Sequence, residues 1–297
     1  MKFKNDTDFR RDRPKPFGAY KHITNEEYHA ETAISRSDLE LIQRSPAHYR
    51  YQKDNPKPRT EAMQIGEWVH TMVLEPDKFD QHFFPESEII EGVMAEKPQT
   101  KSVRATNLYK ERVAEIEDLG LVLLSEEMAE MLQGVQKAVL EKPLYQATVQ
   151  EGVPELSCFA ELEGQLCRAR PDFVSFERNF IIDLKTTDNA HKGKFINSIY
   201  NFGYHRQAAF YMDVVSAATG VPISGYGIVA AEKEPPYGVC CYTLHPDFIA
   251  IGRAEYKENL KKLNEAIKTK KWDGYPDEFV EAVPKPWMYY RTEEDDG

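Results

Sequence analysis

Asp183 and Lys185 stand two residues apart in Phe180-Ile181-Ile182-Asp183-Leu184-Lys185-Thr186, and Asp172 follows Pro171 a little upstream. Arg168–Phe176 and Phe180–Thr186 read as the two strands of a hairpin. The polar Glu177-Arg178-Asn179 joins them, and Asn tolerates the positive φ that such turns need. Strand alternation sends Asp183 and Lys185 to one face, and Ile182 and Leu184 to the other, toward a core. Two carboxylates and an ammonium therefore converge inside apolar strands, where charges need pairing or a metal. A hard divalent cation suits them: Mg²⁺ takes oxygen ligands and keeps several waters. Such an ion activates water and stabilises charge on a phosphate, while Lys185 orients the water or neutralises charge at phosphorus. The competing reading is a plain ion pair of Lys185 with Asp183 or Asp172, a common arrangement.

The elements that must hold these groups are legible in outline. Val153–Leu162 and Leu166–Phe176 read as strands around Glu163-Gly164-Gln165, with Glu155 at the start of the first. Gly225–Glu232 and Gly238–Leu244 read as two more. Thr60–Leu74 reads as a helix with Glu67, His70 and Leu74 on one stripe. A lone helical histidine is more often a satisfied core residue than a ligand, and both readings stay open for His70. Thr24 with Glu27 forms a capping-box signature for a short helix, and Ser35 begins another that Ser45-Pro46 ends. After it, His48, Tyr49, Arg50, Tyr51 and Lys53 interleave aromatic and basic types, either as a helix end with half-buried tyrosines or as a nucleic-acid contact. Residues 76–102 read as irregular. Asn107–Leu119 and Ser125–Leu140 read as helices; in the second, Met128, Met131, Leu132, Val135, Val139 and Leu140 form a core stripe. Phe195–Tyr204 leads into a helix over Tyr204–Thr219, in which Gln207 and Tyr211 share a face beside Tyr204 and close to Arg206. That set either reaches a phosphate or the attacking water, or packs as a polar face on the sheet. Asp247–Lys270 reads as a long helix, and Lys257, Lys261, Lys262, Lys268, Lys270 and Lys271 make the most basic surface of the chain, either a solvated face or one that helps hold a DNA backbone.

Pro171-Asp172 followed by Asp183-Leu184-Lys185 resembles the PD-(D/E)xK nuclease signature. Gly66, His70, Leu74 and Pro76 resemble the G-x-x-x-H-x-x-x-L-x-P helix of one branch, and Tyr204, Gln207 and Tyr211 its Y-x-x-Q-x-x-x-Y helix. In this order the three motifs resemble the RecE-type nuclease domain, the exodeoxyribonuclease VIII family. The resemblance implies an α/β fold: a central mixed sheet flanked by helices, a restriction-endonuclease-like core with a helical N-terminal portion. It implies a metal site of His70, Asp172, Asp183, the Leu184 carbonyl and Glu155, although a strand-edge glutamate is usually solvated. It assigns water activation to Lys185, support to Gln207 and Tyr211, and DNA contact to Tyr204 and Arg206. Mg²⁺ is the implied cofactor, with Mn²⁺ as the alternative. The implied reaction is 5′→3′ digestion of linear double-stranded DNA, leaving 3′ overhangs for a RecT-type single-strand annealing protein. A ring-shaped homo-oligomer, a tetramer, and a phage or prophage origin in a bacterial cytoplasm come with it. An endonuclease, a single-strand nuclease, or a non-catalytic DNA-binding or assembly protein of the same fold are the alternatives.

Composition sets bounds on this. The net charge of −11 argues against a protein that coats DNA with its whole surface, and leaves room for a basic groove. No apolar run approaches the roughly 18 residues of a membrane span, and Met1–Lys15 lacks the apolar centre of a signal peptide. Cys158, Cys167, Cys240 and Cys241 form no C-x-x-C, against a zinc ribbon. The 297 residues are expected to form a mobile segment over 1–17, one nuclease domain over 18–283 and an acidic tail over 284–297.

Overall fold

The computed structural model describes residues 3–12, 16–58, 60–149 and 152–284. The acidic tail beyond Pro284 lies outside the described residues. The N-terminal portion runs α1 (Asp6–Asp12), β1 (Gly18–Tyr20), α2 (Asn25–Ala30), α3 (Arg36–Arg44), α4 (Pro46–Asp54), α5 (Glu61–Leu74), α6 (Pro76–His82), β2 (Phe83–Pro85) and α7 (Glu86–Glu96). Then come α8 (Asn107–Asp118), β3 (Val122–Leu124), α9 (Glu126–Leu140) and α10 (Pro143–Val149). The strands that carry the chemistry follow: β4 (Val153–Pro154), β5 (Ser157–Leu162), β6 (Gln165–Ala169), β7 (Phe173–Ser175) and β8 (Phe180–Thr187). The chain closes with α11 (Lys192–Asn201), α12 (Tyr204–Thr219), β9 (Gly225–Glu232), β10 (Val239–Thr243) and α13 (Pro246–Thr269).

A five-stranded mixed sheet, ordered β10-β9-β8-β7-β4, forms the centre. β8 and β9 pair in parallel over eight residues, with Asp183 opposite Ile228; β7 and β8 form the antiparallel hairpin. Asn179 in its turn has φ 50°, the left-handed conformation its type permits. Helices cover both faces. Phe210, Val214, Tyr256, Leu260 and Leu263 of α12 and α13 join Ile181, Ile228 and Ala230 in one core. Val69, Val73, Leu132, Val135 and Val139 of α5 and α9 join Ile182, Leu184 and Val229 in the other. This is the mixed sheet flanked by helices that the motifs imply. Among the described residues no helix is long and apolar enough to cross a membrane.

Several local expectations meet a different structure. The two strands read as continuous over 153–162 and 166–176 both break, because β5 and β6 leave the central sheet and pair with β1 in a separate three-stranded one. Residues 76–102 hold α6, β2 and α7 instead of an irregular stretch. Phe79 stacks on Phe83, Ile89 and Val93 bury one helical face, and β2 pairs in parallel with β3. Ser45 both ends α3 and caps α4, whose first residue is Pro46. In α5 the buried stripe is Val69, Met72 and Val73, one step round from Glu67, His70 and Leu74. In α9, Leu132, Val135 and Val139 are buried, whereas Leu140 is exposed. Inside the segment expected to be mobile, Phe9 of α1 is fully buried against Tyr20 and Phe159. The capping box of Thr24 and Glu27 forms as read, and Ser35 and Ser125, read as helix starts, prove to be N-caps, as does Thr60. Cys158 and Cys167 are buried small residues on β5 and β6.

Candidate metal centre and active site

Glu155 and Asp172 sit at the crossing between the two sheets. Glu155 turns the chain with φ 48°, and its N–H donates to the Asp172 carbonyl at 3.1 Å. Pro171, with no N–H to give a ladder, stands in the break between β6 and β7. A break in both strands thus frees two acids from strand alternation at one place.

α5 brings the third member. With Val69, Met72 and Val73 turned into the core, His70 faces the end of β8. One ligand atom from each of His70, Glu155 and Asp172 lies within 4.8 Å of the others. The His70 Nε2–H donates to the Leu184 carbonyl at 2.8 Å, and Nδ1 is 3.3 Å from Asp172 Oδ1. Burial opposes charge on this ring, but the adjacent Asp172 charge and hydrogen bond outweigh it, and the imidazole rises to about 9. Burial likewise pushes Asp172 up, yet His70, Lys185 and the Leu184 N–H hold it below the ordinary carboxylate value. That N–H donates to Oδ2 at 2.6 Å. For Glu155 the balance goes the other way: burial first, then the Asp172 charge, outweigh His70 and Arg170 and raise it to about 8.

Asp183 and Lys185 lie beside this trio on β8. Asp183 is 1% exposed, and its Oδ1 accepts from Gln207 Nε2 at 2.8 Å. Its Oδ2 lacks a hydrogen bond and lies against the Lys185 ammonium. Burial raises the Asp183 carboxyl in spite of that ammonium. Lys185 is the reverse case: burial disfavours its charge, but Asp183 and Asp172 more than offset this and raise its pKa. The ammonium stands 5.3 Å from the centre of the Tyr204 ring.

The expected residues therefore fall into two sets, with Tyr211 nearby and Arg206 apart. His70, Glu155 and Asp172 form one cluster, with the Leu184 carbonyl against its imidazole. Asp183, Lys185, Gln207 and Tyr204 form a second set around the buried ion pair. Tyr211 is half-buried nearby, where desolvation chiefly, and the charges of Asp183 and Asp172, raise its phenol well above the usual value. Arg206 does not join them; it pairs with Glu255 of α13 at 2.8 Å, alongside His205. Arg36, which the sequence reading passed over as part of a helix start, donates to the Phe202 carbonyl at 2.6 Å, and its charge acts on Lys185 and Tyr204. Its signal was available: a cation in the first turn opposes the helix dipole. Tyr226 of β9 also borders Asp183, and burial with that charge raises its phenol.

The donor set fits a hard divalent cation. Two carboxylates, a backbone carbonyl and one imidazole converge, hard oxygen donors with one nitrogen. Among the described residues no second cluster of this kind occurs.

A search of the curated proteins found no match. Among solved structures the chain is similar to an exonuclease candidate from Eubacterium rectale, with a TM-score of 0.60 at 15% identity, over 92% of this chain and 99% of that one. A phage-related exonuclease from Haemophilus somnus 129PT (TM-score 0.33, 12% identity, 64% of this chain and 96% of that one) superposes too loosely to carry an argument. The same holds for an alkaline exonuclease from Laribacter hongkongensis (TM-score 0.30, 15% identity, 69% and 95%). At 15% identity the first likeness shows the fold, and it is the fold built above. The family model described as a PDDEXK-like domain of unknown function (DUF3799) matches residues 35–281, from the cap of α3 through every residue of the site, and the chain belongs to that family.

Proposed function

We propose that this chain is a metal-dependent nuclease, and more finely an exodeoxyribonuclease that digests linear duplex DNA from its 5′ ends. The observation that carries the nuclease reading is the convergence of His70, Glu155 and Asp172 within 4.8 Å, beside a buried Asp183–Lys185 pair. His70, Asp172, Asp183, the Leu184 carbonyl and Glu155 would hold Mg²⁺ or Mn²⁺. When bound, such an ion supplies Lewis acidity to the phosphate and lowers the pKa of water.

The protein's own part follows from the geometry. Lys185 remains an ammonium because two carboxylates face it, so it donates to water or to a phosphate oxygen and does not take a proton. Gln207 fixes the Asp183 carboxylate by its hydrogen bond, and that carboxylate positions Lys185. Tyr204 gives the ammonium an aromatic floor. No covalent intermediate is needed.

The 5′ polarity, the 3′ overhang, the RecT-type annealing partner and a ring of copies rest on the three motifs. Linear duplex labelled separately at its 5′ and 3′ ends, incubated with Mg²⁺ or chelator beside a closed circle, tests the reading. Early Mg²⁺-dependent release of the 5′ label with the circle intact is expected. Cutting of the circle would keep the nuclease and remove the exonuclease. No cleavage with Mg²⁺ or Mn²⁺ would remove both.

A further inference from the structure

A second feature lies where α4 meets the end of α13. The chain leaving α13 turns back at Lys270, in the left-handed conformation with φ 57°, and runs along α4. The Ala47 N–H donates to the Asp273 carbonyl at 3.1 Å, and Tyr275 packs on His48. This lays Trp272 on Tyr49, stacked at 24° with ring centres 5.9 Å apart. Beside the pair opens a cavity of about 620 Å³ lined by Tyr49, Arg50, Lys53, Ile267, Lys270 and Trp272. Its volume is in the range of small-ligand sites.

The lining is two aromatic rings, one aliphatic chain and three cations, in a protein of net charge −11. Arg50 lies 5.8 Å from the Trp272 ring and Lys53 5.5 Å from that of Tyr49. Two carboxylates border the lining: Asp54 pairs with Arg50, and the buried Asp38 with Lys53. Lys270 has no ion pair among the described residues. Planar rings flanked by cations match a ligand with both π-faces and phosphates. Stacking platforms in a positive groove are how single strands are held without regard to sequence.

We propose that this groove binds single-stranded DNA, stacking one or two bases on the Tyr49–Trp272 platform with phosphates against Arg50, Lys53 and Lys270. It extends the nuclease reading, since a strand-degrading enzyme leaves the other strand single. α3 links the two places. Its Arg36 acts on Lys185, and its Asp38 holds Lys53.

The test is binding of a fluorescent dT₂₀ oligonucleotide by anisotropy in chelator, where no cleavage occurs, at one fixed low salt. Trp272→Ala and Tyr49→Ala should weaken binding about tenfold or more, whereas Trp272→Phe should restore most of it. Initial cleavage of short duplex ends with Mg²⁺ should stay within about twofold in all three, which also shows that they fold. An abasic oligonucleotide of the same length should bind wild type more weakly than dT₂₀. Equal binding of the two, or undiminished dT₂₀ binding by Trp272→Ala, would overturn the proposal while leaving the nuclease intact. If wild type cuts no DNA but the variants still lose dT₂₀ binding, the groove stands and the nuclease reading falls.

Discussion

The ion pair of the buried Asp183 with the half-buried Lys185 is where the proposed chemistry is tested first. Lys185→Ala should lower cleavage by about a hundredfold or more, with Mn²⁺ affinity by calorimetry changed only a few-fold. Wild-type cleavage in that variant would overturn its assignment. Asp172→Asn should weaken Mn²⁺ binding by tenfold or more, since it removes a charge from the three-residue cluster while leaving an oxygen to accept from the Leu184 N–H. At this scale much could be read directly. Asp172, Asp183 and Lys185 announce themselves because acids and a lysine within apolar strands have few other reasons to be there. Gln207 could be placed on the same helical face as Tyr211, but nothing in its spacing says that it meets Asp183. Arg206, next to Gln207 in the sequence, points the other way around α12 to Glu255, a pairing its spacing does not announce.

At the scale of elements, α12 places Gln207 and Tyr204, and α13 places α12. The two helices approach so closely at Gly252 that a Cβ there would stand 2.2 Å from the His205 carbonyl oxygen. Gly252→Ala should therefore destabilise by about 2 kcal/mol in urea denaturation, and slow cleavage, because relief requires α12 to shift. An unchanged midpoint would show that the helix pair is looser than the packing implies. On the other face, Leu132 of α9 is 1% exposed under the helix that carries His70. Leu132→Ala should cost about 2–5 kcal/mol by the same measurement. Helix ends were readable from caps, because capping is local chemistry. The two strand breaks were not, because each depends on which strand the segment pairs with. Residues 155 and 172 leave the ladder together only once β1 has drawn β5 and β6 away from the central sheet.

At the scale of the molecule, the N-terminal segment closes over the smaller sheet. Asp12 accepts from the Lys4 ammonium at 2.7 Å and the Tyr20 hydroxyl at 2.9 Å, and these bonds, Lys4 first, lower its carboxyl to about 2. The folded value lies below the free-chain value, so its support is complete above about pH 4 and is lost as the pH falls through about 2. Amide exchange over residues 6–12, corrected for intrinsic rates, should quicken between pH 5 and pH 2.5. Asp12→Asn should be fast at both, and a wild type with flat protection would remove this carboxylate from the docking.

The parallel register of β8 on β9 has a bearing on lineage. Asp183 faces one core and Leu184 the other, opposite Ile228 and Val229. One residue gained or lost between 173 and 187 would exchange those faces, burying the carboxylate under α5 and moving the leucine to the reaction centre. The hairpin's length is thus tied to the two cores on which its residues alternate. The ruler by which relatives are aligned is therefore the span from Pro171 to Lys185, and divergence in length should collect outside it.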